Sequence, residues 1–449
     1  MEKYTYKDSG IEWLGDIPEH WIIDRIKDNF IDDLSQINEK KLKEIENVAH
    51  YSIPAFDDGQ TPHNCEGESI SSGKKVLKGT GLLYSKLNCW KPRVWKYKIN
   101  DNDFLSVAST EFIGLRPIHY SKIHLTYFEY LLGSVEFTNS VKIFLTSVTN
   151  SHQRITPNKF DSQNIPLPPF QEQKAIAEYL DKAIAKIDRI IAIKQEQLVK
   201  MKENTYSLIN EFVTGKKTLK ECNSYKSSDI EWLGNIPEHW KVDRLKDVCE
   251  RITGGGTPKS SISEYWDDGD IIWISPTDFG NQKGTKYITN SEKKITELGV
   301  QKSSAKFLPE GTVIMSSRAS IGEPKIAGKE VTTNQGFISY ISNYRLHNNF
   351  LFYCIEGQLG SYFQSIASGT TFMEISRRMA SVENIPLPPI QEQKAIAEHL
   401  DESITKIKKI ESFIKFQIET LQAYRKSLIH ECVTGKKQIA SAIKEQTYA

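Results

Sequence analysis

"NIPLPPFQEQKAIAEYLD", residues Asn164–Asp181, returns as "NIPLPPIQEQKAIAEHLD", residues Asn384–Asp401, 220 positions later. A second matched pair stands upstream of each copy. "SGIEWLGDIPEHWIIDRIKD" (Ser9–Asp28) is answered by "SDIEWLGNIPEHWKVDRLKD" (Ser228–Asp247), at an offset of 219. "VTGKK" closes each half, at Val213–Lys217 and Val433–Lys437. Between the blocks the likeness fades, over 29–163 and 248–383. A period this long excludes a short-repeat solenoid. The pattern is one frame used twice, carrying two diverged modules.

The frame reads as helix. From Gln171 to Phe212 the apolar residues fall at three- and four-residue steps: Ala177, Leu180, Ile184, Ile187, Ile191, Leu198, Met201, Leu208, Phe212. Lys194 and Thr205 interrupt the series. A seam held this long points to a coiled coil rather than to an ordinary surface helix. Pro166, Pro168 and Pro169 force an extended lead-in, and Gly215 with two lysines marks the stop. The second copy repeats the seam from Ala397 to Cys432, with Glu411 and Arg425 as its exceptions. About 42 residues at ~1.5 Å each make a rod of roughly 60 Å. Its single apolar stripe needs a partner, and the nearest is the other copy. Two copies of one unit tend to associate about a two-fold axis, so the helices are expected antiparallel. Placing the axis near residue 192 brings Lys194 opposite Glu411, an oppositely charged pair expected to fix register.

Trp13, Trp21, Trp232 and Trp240 sit at matched positions of the short blocks. These blocks read as docking segments that seat each module. Both modules read as mixed α/β: "GLLYSKL" and "GTVIMSSRASIG" as strands with polar tips, "HLTYFEYLLGSVEFTNSV" (His124–Val141) and "NNFLFYCIEGQLGSYFQSIA" (Asn348–Ala367) as helical. The expected fold class is α+β: two globular mixed α/β domains separated by two long helices in an antiparallel coiled coil, with a pseudo-two-fold internal repeat. The expected boundaries are 1–164, 165–217, 218–384 and 385–437, followed by a tail at 438–449.

Composition is that of an ordinary globular chain: 449 residues, 39% hydrophobic and 26% charged. No apolar run approaches the ~18–20 residues of a bilayer span, and no signal peptide opens the chain, so a cytoplasmic protein without a membrane partner is expected. The six cysteines form no C-x-x-C pair, which leaves a zinc or redox reading unsupported. A net charge of +1 weighs mildly against a nucleic-acid binder without excluding one, since a basic groove can be offset elsewhere.

Catalytic motifs are missing. "TGGGTPKSS" (Thr253–Ser261) lacks the G-K-[ST] end of a P-loop, and "LPPF" (Leu167–Phe170) has Leu where an adenine methyltransferase needs Asn. Polar loops recur instead: "SKLNCWKPR" (Ser85–Arg93), "TNSHQR" (Thr149–Arg154), "SSRASIG" (Ser316–Gly322) and "SGTTFMEISRR" (Ser368–Arg378). Such loops suit phosphate and base-edge contacts, with Arg and Lys for phosphate or guanine and Asn and Gln for adenine. Each alone is also what an ordinary surface turn contains.

"IPLPP-x-QEQ" in two copies, each opening a long helix, resembles the specificity subunit of type I restriction-modification systems. So do "GGTP" (Gly255–Pro258), "YW" (Tyr265–Trp266), "SSR-x-x-IG" (Ser316–Gly322) and "TNQGF" (Thr333–Phe337) of the second module. The first module departs more, with "SKL" and "STEF" in the corresponding places. The resemblance spans essentially the whole chain. It implies two target-recognition domains, each reading half of a bipartite site in double-stranded DNA, on helices that set the spacer. It implies two methyltransferase subunits and two restriction subunits as partners. No cofactor is expected on this chain; S-adenosylmethionine, ATP and Mg2+ belong to the partners. Candidate DNA contacts are Lys86, Asn88, Arg93, Gln153 and Arg154 in the first module, and Thr257, Lys259, Arg318, Gln335 and Thr371 in the second. Two other readings stay open on the residues alone: an unrecognised DNA-modifying enzyme, and a coiled-coil scaffold without restriction partners.

Overall fold

In a computed structural model, described over residues 4–88, 90–100, 104–147, 153–369 and 373–439, the repeated block starts a helix of 44 residues each time. These are Phe170–Val213 and Ile390–Val433. The chain forms two compact units, residues 1–195 with 416–449, and residues 196–415. Each long helix therefore gives one half to each unit.

The proline lead-in works as the sequence suggested. The carbonyls of Pro169 and Pro389 accept the amides of the following Glu and Gln, starting each helix. At the far ends Gly215 (φ +73°) and Gly435 (φ +75°) turn left-handed, and the amides of Lys217 and Lys437 close back on Glu211 and Glu431. This is the helix stop that glycine permits.

In the first unit the two helix halves run antiparallel. Lys437 lies over the ring of Tyr179, Arg425 pairs with Asp188 at 3.0 Å, and Lys194 donates to Gln417 at 2.6 Å. The first helix's numbers rise along this series while the second's fall. In the second unit the ring of Phe212 meets that of His399 at 4.7 Å, again the end of one helix against the start of the other. The seam is buried most deeply towards the ends, at Ala177, Leu180, Ala397 and Leu400, where a module covers it. Met201, Leu208, Ile404 and Leu421 are only half-buried, as two strands of a coiled coil leave their flanks open. The partner found for Lys194 is Gln417, six residues beyond the expected Glu411, which belongs to the other unit. The helix ends set this register, because each has a module docked on it.

Each module is built on a sheet with one shared order of four antiparallel strands. In the first the strands run Val94–Lys98, Thr80–Ser85, Phe112–Pro117, Phe30–Ile31. In the second the matching run is Pro324–Ala327, Val313–Ser316, Phe337–Ser342, Cys249–Gly254, with Tyr287–Ile288 added beyond the first. Registers agree as well. Phe112 stands opposite Ser85 and Phe337 opposite Ser316. The central strands are buried on both faces (Leu82, Leu83, Tyr84; Val313, Ile314, Met315), which explains their unbroken apolar wording. The stretch 124–141 forms two helices, Leu125–Leu132 and Val135–Lys142, because Ser134 caps the second through the amide of Phe137. Its counterpart is bent at Gly357 (φ −92°, ψ −135°).

Candidate nucleic-acid interface

The two modules hang on the frame by the same three side chains. Gln173 and Gln393 are fully buried. The side-chain oxygen of each accepts a backbone amide that opens a module helix, His124 N and His347 N, both at 2.8 Å. The side-chain nitrogen of each donates to two carbonyls, of Pro168 and Lys122 or of Pro388 and Arg345, at 2.8–2.9 Å. Glu172 and Glu392 take His20 and His239, each at 2.8 Å. The "IPEHW" blocks are seated at the other helix's end. A Cβ on Gly435 would lie 2.5 Å from Pro18 and 3.0 Å from Trp21, and one on Gly215 2.3 Å from Pro237 and 3.0 Å from Trp240. So "QEQ", "IPEHW" and "VTGKK" are three parts of one joint, made once in each unit.

On the second module, four loops converge. The amide of Gly256 donates to Thr333 O at 2.9 Å, Ser317 N to Gly336 O at 2.9 Å, and Ile375 N to Ser317 O at 3.1 Å. Gly255 has to be glycine here, since a Cβ would fall 2.1 Å from the Thr333 carbonyl. The tips then present Thr257 bonded to Gln335, and Arg318 paired with Glu374 at 3.0 Å. Thr257, Lys259, Arg318 and Gln335 are all exposed.

The first module makes the same junction with different residues. Lys86 N donates to Glu111 O at 2.9 Å and Ile155 N to Lys86 O at 3.1 Å, as Ser317 does with Gly336 and Ile375. Ser85 Oγ reaches the carbonyl of Leu87, as Ser316 Oγ reaches that of Arg318. Isolated bridges join Leu87 to Arg154 and Arg318 to Glu374. Hydrogen bonding therefore equates Lys86, Leu87, Asn88, Glu111 and Arg154 with Ser317, Arg318, Ala319, Gly336 and Glu374. The ion pair of the first site, Arg154 with Glu111 at 2.8 Å, joins a different pair of these positions.

The sequence-derived candidates fall out unevenly. Lys86, Asn88, Gln153 and Arg154 come together: Asn88 N donates to Gln153 O at 2.8 Å, and Asn88 Oδ1 accepts from Gln153 N. Thr257, Gln335 and Arg318 come together in the second module, with Lys259 two residues beyond Thr257. Arg93 does not share this exposure. It is 8% exposed and binds both carboxylate oxygens of Asp57, at 2.8 and 2.9 Å. The Arg93 guanidinium, with Lys91 beside it, holds the Asp57 carboxyl well below the usual carboxylate range. The structure therefore gives Arg93 the part of a loop anchor rather than a place at the exposed tips, with two of its guanidinium nitrogens committed to Asp57. Thr371 lies outside the described residues. Sequence reading overlooked Glu111 and Glu374, the counter-ions that set how Arg154 and Arg318 are displayed. "STEF" beside a basic loop was the available signal for the first.

Among the described residues no group of His, Cys, Asp and Glu is arranged to hold a metal, and no helix is long and apolar enough to cross a membrane.

The model of the type I restriction modification DNA specificity domain matches twice, over residues 24–200 and 237–420. The MjaIX specificity subunit of a type I restriction enzyme from Methanocaldococcus jannaschii is 38% identical over 174 residues, covering 38% of this chain and 39% of the relative's own length. The MjaVIII specificity subunit from the same organism is 27% identical over 365 residues, 76% of this chain and 80% of the relative. Among solved structures, a chain described in work on the assembly and conformational transition of the type I R-M system shares the fold. Its TM-score is 0.75 at 18% identity, over 94% of this chain and 99% of that one. With the twofold match lying on the two modules and their helices, and covering well over half of the residues, the chain belongs to the type I restriction-modification DNA specificity family and is a specificity subunit, a non-catalytic part of such systems.

Proposed function

We propose that the exposed loops of each module read one half of a bipartite site in double-stranded DNA, and that the paired helices set the unread spacer between the halves. One observation carries this reading: the same backbone junction is built twice and dressed differently, Lys86, Leu87, Glu111 and Arg154 against Ser317, Arg318, Gly336 and Glu374. A fixed scaffold with changed tips is what two different half-sites require. Phosphate contacts would set position, and base-edge contacts from Lys86, Gln153 and Arg154 or from Thr257, Lys259, Arg318 and Gln335 would set sequence.

The catalytic work belongs to partners. Two methyltransferase subunits with S-adenosylmethionine, and two restriction subunits using ATP and Mg2+, would complete the complex in the cytoplasm. Supporting this, the long helices expose apolar side chains in both units: Ile190, Ile193 and Phe416 in the first, Ile410 and Phe413 in the second. Solvent-facing apolar stripes of this kind are covered by protein in an assembly.

The test is methylome sequencing of a strain carrying this chain with a methyltransferase subunit. Gln335→Ala together with Thr257→Ala should relax one half-site and leave the other and the spacer unchanged. A motif altered in both halves, or in neither, would refute the assignment. Inserting one helical turn into one long helix should lengthen the spacer alone.

A further inference from the structure

Beside the recognition loops of the second module lies a cleft of about 250 Å3 in which four of the eight lining residues are basic. Lys246, Arg251, Arg377 and Arg378 line it, with Ser381 and the single acid Glu250. All four cations are exposed. Arg251 is braced by a bond from its guanidinium to the carbonyl of Phe307 at 3.0 Å. A bulge between Cys249 and Arg251 shifts the strand register at this point. Such a bulge re-aims the side chains that follow it.

Two lines of chain connect the cleft to the loops. The strand Cys249–Gly254 carries Arg251 and runs directly into Gly255–Thr257. Arg377 and Arg378 follow Glu374, the partner of Arg318, within three and four residues. At ~3.3 Å per residue, Arg251 stands roughly 10 Å from the strand's end at Gly254. A major groove is ~12 Å wide, with a phosphate backbone on each side, so loops inside the groove bring this cleft to the flanking backbone.

At the matching positions the first module lacks three of these four cations. Matching strand pairs put Ile31 opposite Arg116 where Arg251 stands opposite Ile341. The repeat offset puts Pro157 and Asn158 where the second module has Arg377 and Arg378. Of the four cations only Lys246 has a basic counterpart, Lys27. Asp32 and Asp33, which follow Ile31, are acids engaged with Lys75 and Arg116. The near-neutral charge of the whole chain hides this local difference.

We propose that the cleft is a phosphate clamp that grips the DNA backbone beside the half-site read by the second module, so that this module contributes sequence-independent affinity the first lacks. The inference rests on the DNA reading above. The clamp carries no base information; its arginines neutralise phosphates and release condensed counter-ions.

The test uses the full chain with its methyltransferase subunits and a fluorescent duplex carrying the methylated motif, titrated across a salt series. Each neutralised phosphate contributes about 0.9 to the slope of log K against log salt. The variant Arg251→Gln, Arg377→Gln, Arg378→Gln should lower that slope by about two to three. Affinity for unrelated duplex should drop along with it, and the methylated motif should stay the same. Replacing the same three arginines with lysine should restore most of the slope, which separates lost charge from lost folding. A Gln variant with the wild-type slope would overturn the clamp while leaving the DNA reading intact. A Gln variant with an altered motif would also overturn it, by making these residues base readers. A wild-type complex without salt-dependent DNA binding would remove the functional reading and the clamp together.

Discussion

Asn88 and Ala319 occupy the same left-handed turn in two modules whose surrounding residues differ: φ is +51° at Asn88 and +56° at Ala319. Each follows the residue whose carbonyl is held by a serine hydroxyl, Ser85 to Leu87 and Ser316 to Arg318. Asn tolerates this conformation, whereas Ala meets its own Cβ against the following carbonyl. The geometry of the recognition loop has been kept where the residue best suited to it has not. Ala319→Gly should therefore stabilise the protein by about 1 kcal/mol. Asn88→Ala should destabilise it by a similar or smaller amount. Thermal melting of the two variants checks both signs, and a lower melting temperature for Ala319→Gly would contradict the strain.

The buried glutamines that hang each module on the frame should be costly to lose. Gln393→Ala strands the amide of His347 and the carbonyls of Pro388 and Arg345 inside the protein. Each unpaired buried group costs about 1–3 kcal/mol, so a loss of roughly 3 kcal/mol or more is expected. Gln393→Glu should be nearly as damaging, because a carboxylate cannot donate to the two carbonyls. Urea denaturation measures both, and a Glu variant as stable as wild type would show that the two donations matter little.

Arg93 and Asp57 give a pH signature. The Asp57 carboxyl is held below its usual range by the Arg93 hydrogen bonds. A depressed folded-state pKa adds stability that is fully present above the unfolded value, ~4, and is lost as pH falls through the folded value. Arg93→Met should cost about 2 kcal/mol near neutral pH. The gap between variant and wild type should narrow as acid protonates Asp57. The methylated motif should not change, since the Arg93 side chain is buried against the Asp57 carboxylate. A motif change would restore Arg93 as a base reader.

The docking joint predicts how half the chain behaves. In the first unit the "IPEHW" block meets Gly435 of the second long helix, and in the second unit its twin meets Gly215 of the first. A fragment ending near Lys226 lacks Gly435 but carries Gly215. A second copy of the fragment can present that glycine to Pro18 and Trp21. The fragment should therefore dimerise through its one long helix and, with the methyltransferase subunit, modify a symmetric site. Sedimentation at micromolar concentration tests it; a strictly monomeric product would be incompatible with the joint. Gly215→Val in the fragment, which sets a branched side chain where a Cβ alone would fall 2.3 Å from the proline, should abolish the dimer.

What the sequence determined by itself was the frame. Heptad spacing, proline entry and glycine exit are local rules, and each copy repeated the other, so the helices, their stops and their antiparallel sense could be read from the chain alone. The repeated blocks that bring Trp21 and Trp240 to the helix ends were visible for the same reason. Tertiary structure decided everything that depends on which loop meets which. It gave Lys194 the amide of Gln417, because docking at the helix ends sets the register. It buried Arg93 against Asp57, 36 residues earlier in sequence. It equated Lys86 with Ser317 and Asn88 with Ala319, a match carried by backbone hydrogen bonds that leave no mark on residue identity. It also gathered Lys246, Arg251, Arg377 and Arg378 into one cleft from two segments more than 120 positions apart. Periodicity records a residue's neighbours along the chain, whereas a binding surface is made by neighbours across it.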